Sequence, residues 1–213
     1  MIKARDWNRG TVLGLLGAAV LIFSGCGTNT ASNPQGKTGQ QPLHVSKQTP
    51  GKPTNAVSNA ASIPTVTLQV LTGKMSGKAG WPKFLPANFT VPAGKTVRIS
   101  IVNYDDGSAP LPNGLNKVTG TVGNQEFVDG KPFSSIPLKS VAHTLTVPGI
   151  GLNVPIPVRT KSERFNVISF TFHTPNAKRT LNWQCMAACG SGSTGWSGAM
   201  AQPGYMKGTI TVS

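Results

Sequence analysis

Apolar and polar residues alternate with a period of two along much of the chain from Ile63 onward. Such alternation is typical of strands that bury one face, and Gly, Pro and Asn residues separate the runs as turns do. The alternating apolar residues are Val66, Leu68 and Val70; Phe89 and Val91; Val97, Ile99 and Ile101; Leu145 and Val147; Ile168, Phe170 and Phe172; Leu181, Trp183 and Cys185; and Ile210 and Val212. Without a convincing amphipathic helix among them, the pattern predicts an all-β, antiparallel β-sandwich.

The predicted sandwich spans residues 62–213, about 150 residues, which is enough for one well-filled core. Its stretch 105–139 is rich in turn residues, and we interpret it as a long excursion between strands. The five acidic residues beyond the N-terminal segment are expected in loops. Neither a Ser/His/Asp order nor an HExxH motif is present, so the sequence favours a binding or electron-carrying module over an enzyme, without deciding the matter.

The N-terminus changes this picture, because residues 1–25 place a basic segment before a short apolar run and small residues. This order is typical of a secretory signal peptide, and fewer than about 20 apolar residues is short for a spanning helix. Phe23-Ser24-Gly25-Cys26 resembles a bacterial lipobox, which implies that Cys26 is lipidated and becomes the mature N-terminus. An uncleaved anchor and an ordinary signal peptide are the alternatives. All three place the rest of the chain outside the cytoplasmic membrane.

The segment that follows, residues 26–61, is interpreted as the lipidated cysteine and a disordered tether. Residues 27–61 contain no acidic or aromatic residue and almost no large aliphatic one, so burial cannot offset the entropy of ordering. Residues 1–25 account for three of the 20 basic and one of the six acidic residues, which leaves a charge of +12. We expect contact with the lipid bilayer through Cys26 and attraction to acidic partner proteins. The export signal argues against nucleic acid.

Four segments of the sandwich resemble the cupredoxin superfamily. KFLPANFTVPAGKTVRISIVNYDD, residues 83–106, resembles its early hairpin, and VAHTLTV, residues 141–147, resembles the strand that supplies the first copper histidine. ISFTFHTPNAKRTLNWQCMAACG, residues 168–190, resembles the penultimate hairpin before the copper cysteine, and PGYMKGTITV, residues 203–212, resembles the ligand methionine and last strand. The resemblance implies a cupredoxin-like Greek-key β-sandwich with copper as cofactor.

Within that superfamily, the cysteine loop is closest to the CuA copper domain of cytochrome oxidase subunit II, which reads CxxxCGxxHxxM. Cys185, Cys189, Gly190 and Met206 match that pattern, whereas Pro203 occupies the histidine slot and the loop is ten residues longer. The resemblance therefore implies a metal site made of His143, Cys185, Cys189 and Met206.

The histidine missing from that pattern is not obviously replaced by His173. The inward face of its predicted strand is apolar, so His173 should point outward. If its hairpin turns near residues 176–178, His173 lies about 13 Å from Cys185. We therefore expect a surface histidine.

The ligand set leaves several functions open. Sulfur ligands with one imidazole suit copper, especially Cu(I), although zinc also accepts two cysteines and a histidine. Outside the cell, Cys185 and Cys189 could instead form a disulfide. The residues are therefore compatible with an electron carrier near a respiratory chain, a copper-delivery or thiol-redox accessory protein, or a metal-free, disulfide-bonded interaction domain. The resemblance favours the first.

Overall fold

The computed structural model describes residues 62–213, which form eleven strands and four short 3₁₀ turns. The predicted signal peptide, the expected lipidation site Cys26 and the predicted tether therefore lie outside the described residues. The strands are β1 (Thr65–Leu71), β2 (Lys83–Leu85), β3 (Phe89–Val91), β4 (Thr96–Asn103), β5 (Glu126–Val128), β6 (Lys131–Phe133), β7 (Val141–Val147), β8 (Leu152–Pro157), β9 (Asn166–His173), β10 (Arg179–Gln184) and β11 (Lys207–Val212). The 3₁₀ turns are Val122–Asn124, Leu138–Ser140, Pro148–Ile150 and Gly198–Met200. None of these turns is long and apolar enough to cross a membrane.

The strands form two sheets, and the all-β sandwich expected from the sequence is confirmed. The six-stranded sheet has the order β2-β1-β4-β9-β5-β6, and the five-stranded sheet has the order β3-β11-β10-β7-β8. Most neighbouring strands are antiparallel as expected, but β1 runs parallel to β4, and β3 runs parallel to β11.

The alternating apolar residues supply the core between the sheets. In β4 and β9, each residue of the predicted inward set is at most 2% exposed. At one end of the sandwich, Trp183 packs edge-on against Phe84 with ring centroids 4.7 Å apart. Its indole N–H donates to the Ala87 carbonyl at 2.7 Å, so this large side chain is buried with its polar atom satisfied. Strand β10, which leads to the cysteines, is thereby held firmly in the core.

Two predicted hairpins are wrong. The turn at Pro92–Lys95 joins β3 of the five-stranded sheet to β4 of the six-stranded sheet, and the chain crosses back between β9 and β10. Period-two alternation specifies which face of a strand is buried, but it carries no information about which sheet the strand joins. The connection from β7 to β8 is a true antiparallel hairpin.

The excursion at residues 105–139 is only partly irregular, because β5 and β6 pair within it and β5 extends the six-stranded sheet beside β9. The expectation that all acidic residues of this domain lie in loops is wrong for Glu126, which belongs to β5 and is fully buried. Neither of its carboxylate oxygens has a hydrogen-bond partner among residues 62–213. Burial raises the pKa of Glu126 to about 9, so the side chain is neutral in the folded domain at neutral pH.

Candidate metal centre

The candidate ligands His143, Cys185 and Cys189 lie on or just after neighbouring strands of the five-stranded sheet. His143 lies within β7, Cys185 directly follows β10, and these two strands pair through Thr146 and Gln184. Cys189 lies four residues further along the loop. The ligand atoms of His143, Cys185 and Cys189 all lie within 4.8 Å of one another. Strand pairing therefore assembles a compact cluster from residues more than forty positions apart in the chain.

Backbone hydrogen bonds hold the cysteine loop in place. The Thr144 N–H donates to Cys185 Sγ at 3.3 Å, and the Cys185 N–H donates to the Met206 carbonyl at 2.8 Å. The Ala188 N–H donates to the Pro110 carbonyl at 2.8 Å. Both cysteines are free, with their sulfurs 3.5 Å apart. The loop thus presents two thiols side by side without joining them.

The two ring nitrogens of His143 differ: Nε2 has a hydrogen-bond partner, whereas Nδ1 has none in the described part of the chain. Nε2 lies 3.0 Å from Asp105 Oδ2, while Nδ1 is buried and has no hydrogen-bond partner in the described part of the chain. Asp105 is itself positioned by the fully buried Asn103, whose Oδ1 accepts from the Asp105 N–H at 3.1 Å. An unpaired buried polar atom is costly, so Nδ1 is an atom that a bound metal ion would satisfy.

Nearby groups shift the pKa values of His143 and Asp105 in directions that favour an ion pair between them. Burial disfavours the imidazolium form of His143, but Asp105 and Cys185 outweigh burial and raise its pKa to about 9. Burial likewise opposes ionisation of Asp105, yet His143 holds the pKa of that carboxyl below its usual value. The metal-free site is therefore an imidazolium–carboxylate pair at neutral pH. Because a metal ion must displace the imidazolium proton, metal binding should weaken as the pH falls.

The thiols of Cys185 and Cys189 differ in acidity. Burial opposes ionisation of Cys185, but the hydrogen bond with Cys189 and the positive charge of His143 hold the pKa of its thiol well below the usual range. The bond to Cys185, together with burial, raises the pKa of Cys189. Cys185, the fully buried sulfur, is therefore the more acidic thiol of the pair, and the half-buried Cys189 is the less acidic one. The sulfur pair lies within 4.8 Å of the His143 ring, whose Nδ1 has no hydrogen-bond partner among residues 62–213.

The sulfur separation suits two ligands of one metal ion. Two sulfurs each about 2.3 Å from a tetrahedral zinc ion lie about 3.8 Å apart, close to the 3.5 Å separation seen here. Thiolate and imidazole are ligands that copper prefers, whereas calcium and magnesium require oxygen ligands. His143, Cys185 and Cys189 are therefore consistent with copper.

The other residues singled out in the sequence lie in different environments. Met206 is fully buried and bonded to Cys185 through its backbone carbonyl, but the thioether in contact with a thiol is that of Met200. Pro203 is exposed and lines a groove of about 500 Å³ with Gln184 and Lys207. His173 is exposed at the end of β9, with Nδ1 3.0 Å from Thr96 Oγ1, as the surface interpretation predicted.

Two residues of the candidate site were not assigned to it from the sequence. Asp105 directly follows the pattern of strand β4 in the segment NYDD, but its approach to His143 depends on how the loop turns back. Met200 was visible only as one of several methionines in the cysteine loop. In both cases the residue type was suitable, and the missing information was the path of a loop.

Comparisons with known proteins identify distant structural likenesses. No protein-family model matches the chain, and no curated protein matches it. Rusticyanin from Thiobacillus ferrooxidans, a copper protein, is 18% identical with a TM-score of 0.37, covering 71% of this chain and 79% of that one. Auracyanin B is 20% identical with a TM-score of 0.35, covering 70% of this chain and 88% of that one. What the site binds is decided by its own residues.

Proposed function

We propose that this chain is a membrane-anchored, extracytoplasmic copper protein that carries electrons near a respiratory chain, using His143, Cys185 and Cys189 to hold the metal. The observation that carries the proposal is the cluster of two sulfurs and a buried imidazole within 4.8 Å, in which Nδ1 of His143 has no hydrogen-bond partner among residues 62–213. Bound copper supplies one-electron oxidation and reduction. The chain's own contribution is to hold the ligands in a fixed, water-poor setting.

That setting suits electron transfer because it limits rearrangement. His143 and Cys185 are each at most 1% exposed, and the backbone bonds to Thr144 and Met206 restrain the sulfur ligand. Ligands that are held by packing and hydrogen bonds move little when the charge of the metal changes. The net charge of +12 without residues 1–25 favours an acidic redox partner over a basic one.

The second candidate is a thiol-redox function, which the 3.5 Å separation of the two sulfurs favours. Exchange with a partner disulfide requires an accessible thiolate. Here the low-pKa thiol, Cys185, is fully buried, whereas the more accessible Cys189 has a raised pKa. Because the more acidic thiol is the less accessible one, the pair is better suited to binding a metal ion than to exchange with another protein. It leaves open a disulfide between Cys185 and Cys189 that forms when the metal is lost.

Copper analysis of the reduced protein is the first test. We expect the full chain, purified in detergent under anaerobic reducing conditions, to retain about one copper ion per chain against a weak competing chelator. Voltammetry should then show a reversible one-electron wave. Rapid transfer of copper to an apo-acceptor without such a wave would favour a delivery protein. A reduced chain that retains no copper would contradict the proposal and leave a metal-free interaction domain.

The membrane anchor is tested separately at Cys26. We expect Cys26→Ser to release the protein into the medium or to leave the signal uncleaved, because serine cannot form the lipid thioether. Detergent-phase partitioning and intact mass measure both outcomes. Cys185→Ser is the matched control, since the same exchange within the sandwich should leave partitioning unchanged. Identical partitioning and mass for Cys26→Ser and wild type would contradict lipidation.

A further inference from the structure

The loop between Cys189 and Met206 carries a second buried thioether. Met200 ends the 3₁₀ turn Gly198–Met200, is 2% exposed, and has its Sδ 3.3 Å from Cys189 Sγ. Cys189 Sγ lies 3.5 Å from Cys185 Sγ. Three sulfur atoms therefore form a continuous cluster on the side of the site where the lengthened loop closes.

The loop backbone is shaped around this methionine. The Gly190 N–H donates to the Gly195 carbonyl at 2.7 Å, and Ser191 and Ser197 exchange backbone hydrogen bonds at 3.0 and 3.1 Å. A Cβ at Gly190 would lie 2.8 Å from Met200 Cγ and 2.2 Å from the Ser197 carbonyl oxygen. Only glycine leaves room for the Met200 side chain at this point, so the loop and the methionine fit each other closely.

Hydrogen bonds also connect the turn that carries Met200 to Met206 and, through Met206, to Cys185. The Met206 N–H donates to the Ala199 carbonyl at 3.4 Å, and the Met206 carbonyl accepts from the Cys185 N–H. Through this chain of bonds, the turn that carries Met200 is fixed relative to Cys185. The Met206 side chain belongs to the apolar core, and its sulfur makes no hydrogen bond with either thiol within residues 62–213.

We propose that Met200, supplied by the ten-residue lengthening of the loop, is the thioether ligand of this site and selects Cu(I) against zinc. The inference rests on the proposed copper function and assigns the thioether to Met200, where the resemblance of the sequence implied Met206. A set of three sulfurs and one imidazole favours Cu(I), because thioethers bind soft metal ions. Structural zinc sites use thiolate, imidazole and carboxylate, so a thioether contributes little to zinc affinity.

The test compares Met200→Leu with the matched variant Met206→Leu, since both exchanges nearly conserve volume in a buried site. We expect Met200→Leu to weaken Cu(I) binding at least about tenfold, as measured by competition with a chromophoric chelator, and to change zinc affinity much less. Copper-edge X-ray absorption should show one sulfur neighbour fewer. Met206→Leu should leave both measurements close to wild type. Unfolding midpoints of the metal-free variants report any loss of folding.

Selenomethionine labelling provides a second measurement that does not depend on affinity. In labelled Met206→Leu protein, copper should retain a selenium neighbour, and in labelled Met200→Leu protein that neighbour should be lost. Selenium that persists in Met200→Leu, or wild-type Cu(I) affinity in that variant, would overturn the assignment of Met200 while the copper site stands. If the wild-type chain binds no copper at all, the proposed function fails instead.

Discussion

Cys185→Ser should abolish copper binding, because Cys185 is the buried thiolate about which the site is arranged. Its sulfur lies 3.5 Å from Cys189 Sγ and accepts the Thr144 N–H. Structural zinc sites bind with about 10–16 kcal/mol, so one of four ligands accounts for roughly 2.5–4 kcal/mol, or about 70–1,000-fold in affinity, a loss large enough for a competing chelator to remove the copper. Serine offers a hard, protonated oxygen in its place. Competition with a chromophoric Cu(I) chelator measures the loss.

His173→Ala is the matched control for this experiment. His173 is exposed and contacts Thr96 on the six-stranded sheet, whereas the site lies on the five-stranded sheet. We expect its removal to leave copper affinity unchanged. Wild-type affinity in Cys185→Ser, or a large loss in His173→Ala, would show that copper binds elsewhere on the chain.

The strands were predictable from the sequence because burial of one face leaves a period-two signal that does not depend on topology. Ile99 and Phe170 face the core whichever strands lie beside them. The two wrong hairpins have the same origin. Phe89 and Val91 of β3 would also face inward in a hairpin with β4, so alternation could not show that the chain crosses to the other sheet.

The residues of the candidate site could be predicted where strand patterns or the spacing of the two cysteines mark them. His143 and Cys185 follow from strand patterns and from the resemblance of their segments to copper-binding ones. Asp105 and Met200 lie on a loop and a turn whose paths depend on tertiary hydrogen bonds, such as that between Asn103 and Asp105. Glu126 was missed for a different reason. A carboxylate in a turn-rich stretch is usually solvated, and its burial has no local signal.

Glu126 should make the folded domain markedly more stable at acidic pH. In the fold its pKa is about 9, against a usual value of 4.5, so unfolding between these values releases a proton to solvent. The unfolded state therefore binds fewer protons than the folded state, and the free energy of unfolding falls as the pH rises. At about 1.4 kcal/mol per pKa unit, the loss between pH 4.5 and pH 7 is about 3 kcal/mol. For a domain of this size, that corresponds to about 6–12 °C in the unfolding midpoint.

Glu126→Gln separates this effect from the other titrating groups, because glutamine has a similar shape and cannot ionise. His143, with its raised pKa, also contributes stability that is lost as the pH rises, and Asp105, with its lowered pKa, contributes stability that is lost as the pH falls. His143 and Asp105 contribute equally in wild type and in Glu126→Gln.

We therefore expect the free energy of unfolding of Glu126→Gln to match that of wild type near pH 4.5 and to exceed it by about 3 kcal/mol at pH 7. Chemical denaturation of the metal-free protein across this range measures the difference. The variant Glu163→Gln, in which an exposed carboxylate is replaced, is the control and should follow the wild-type profile. If wild type and Glu126→Gln instead show parallel profiles, the buried carboxyl ionises with a partner or with water.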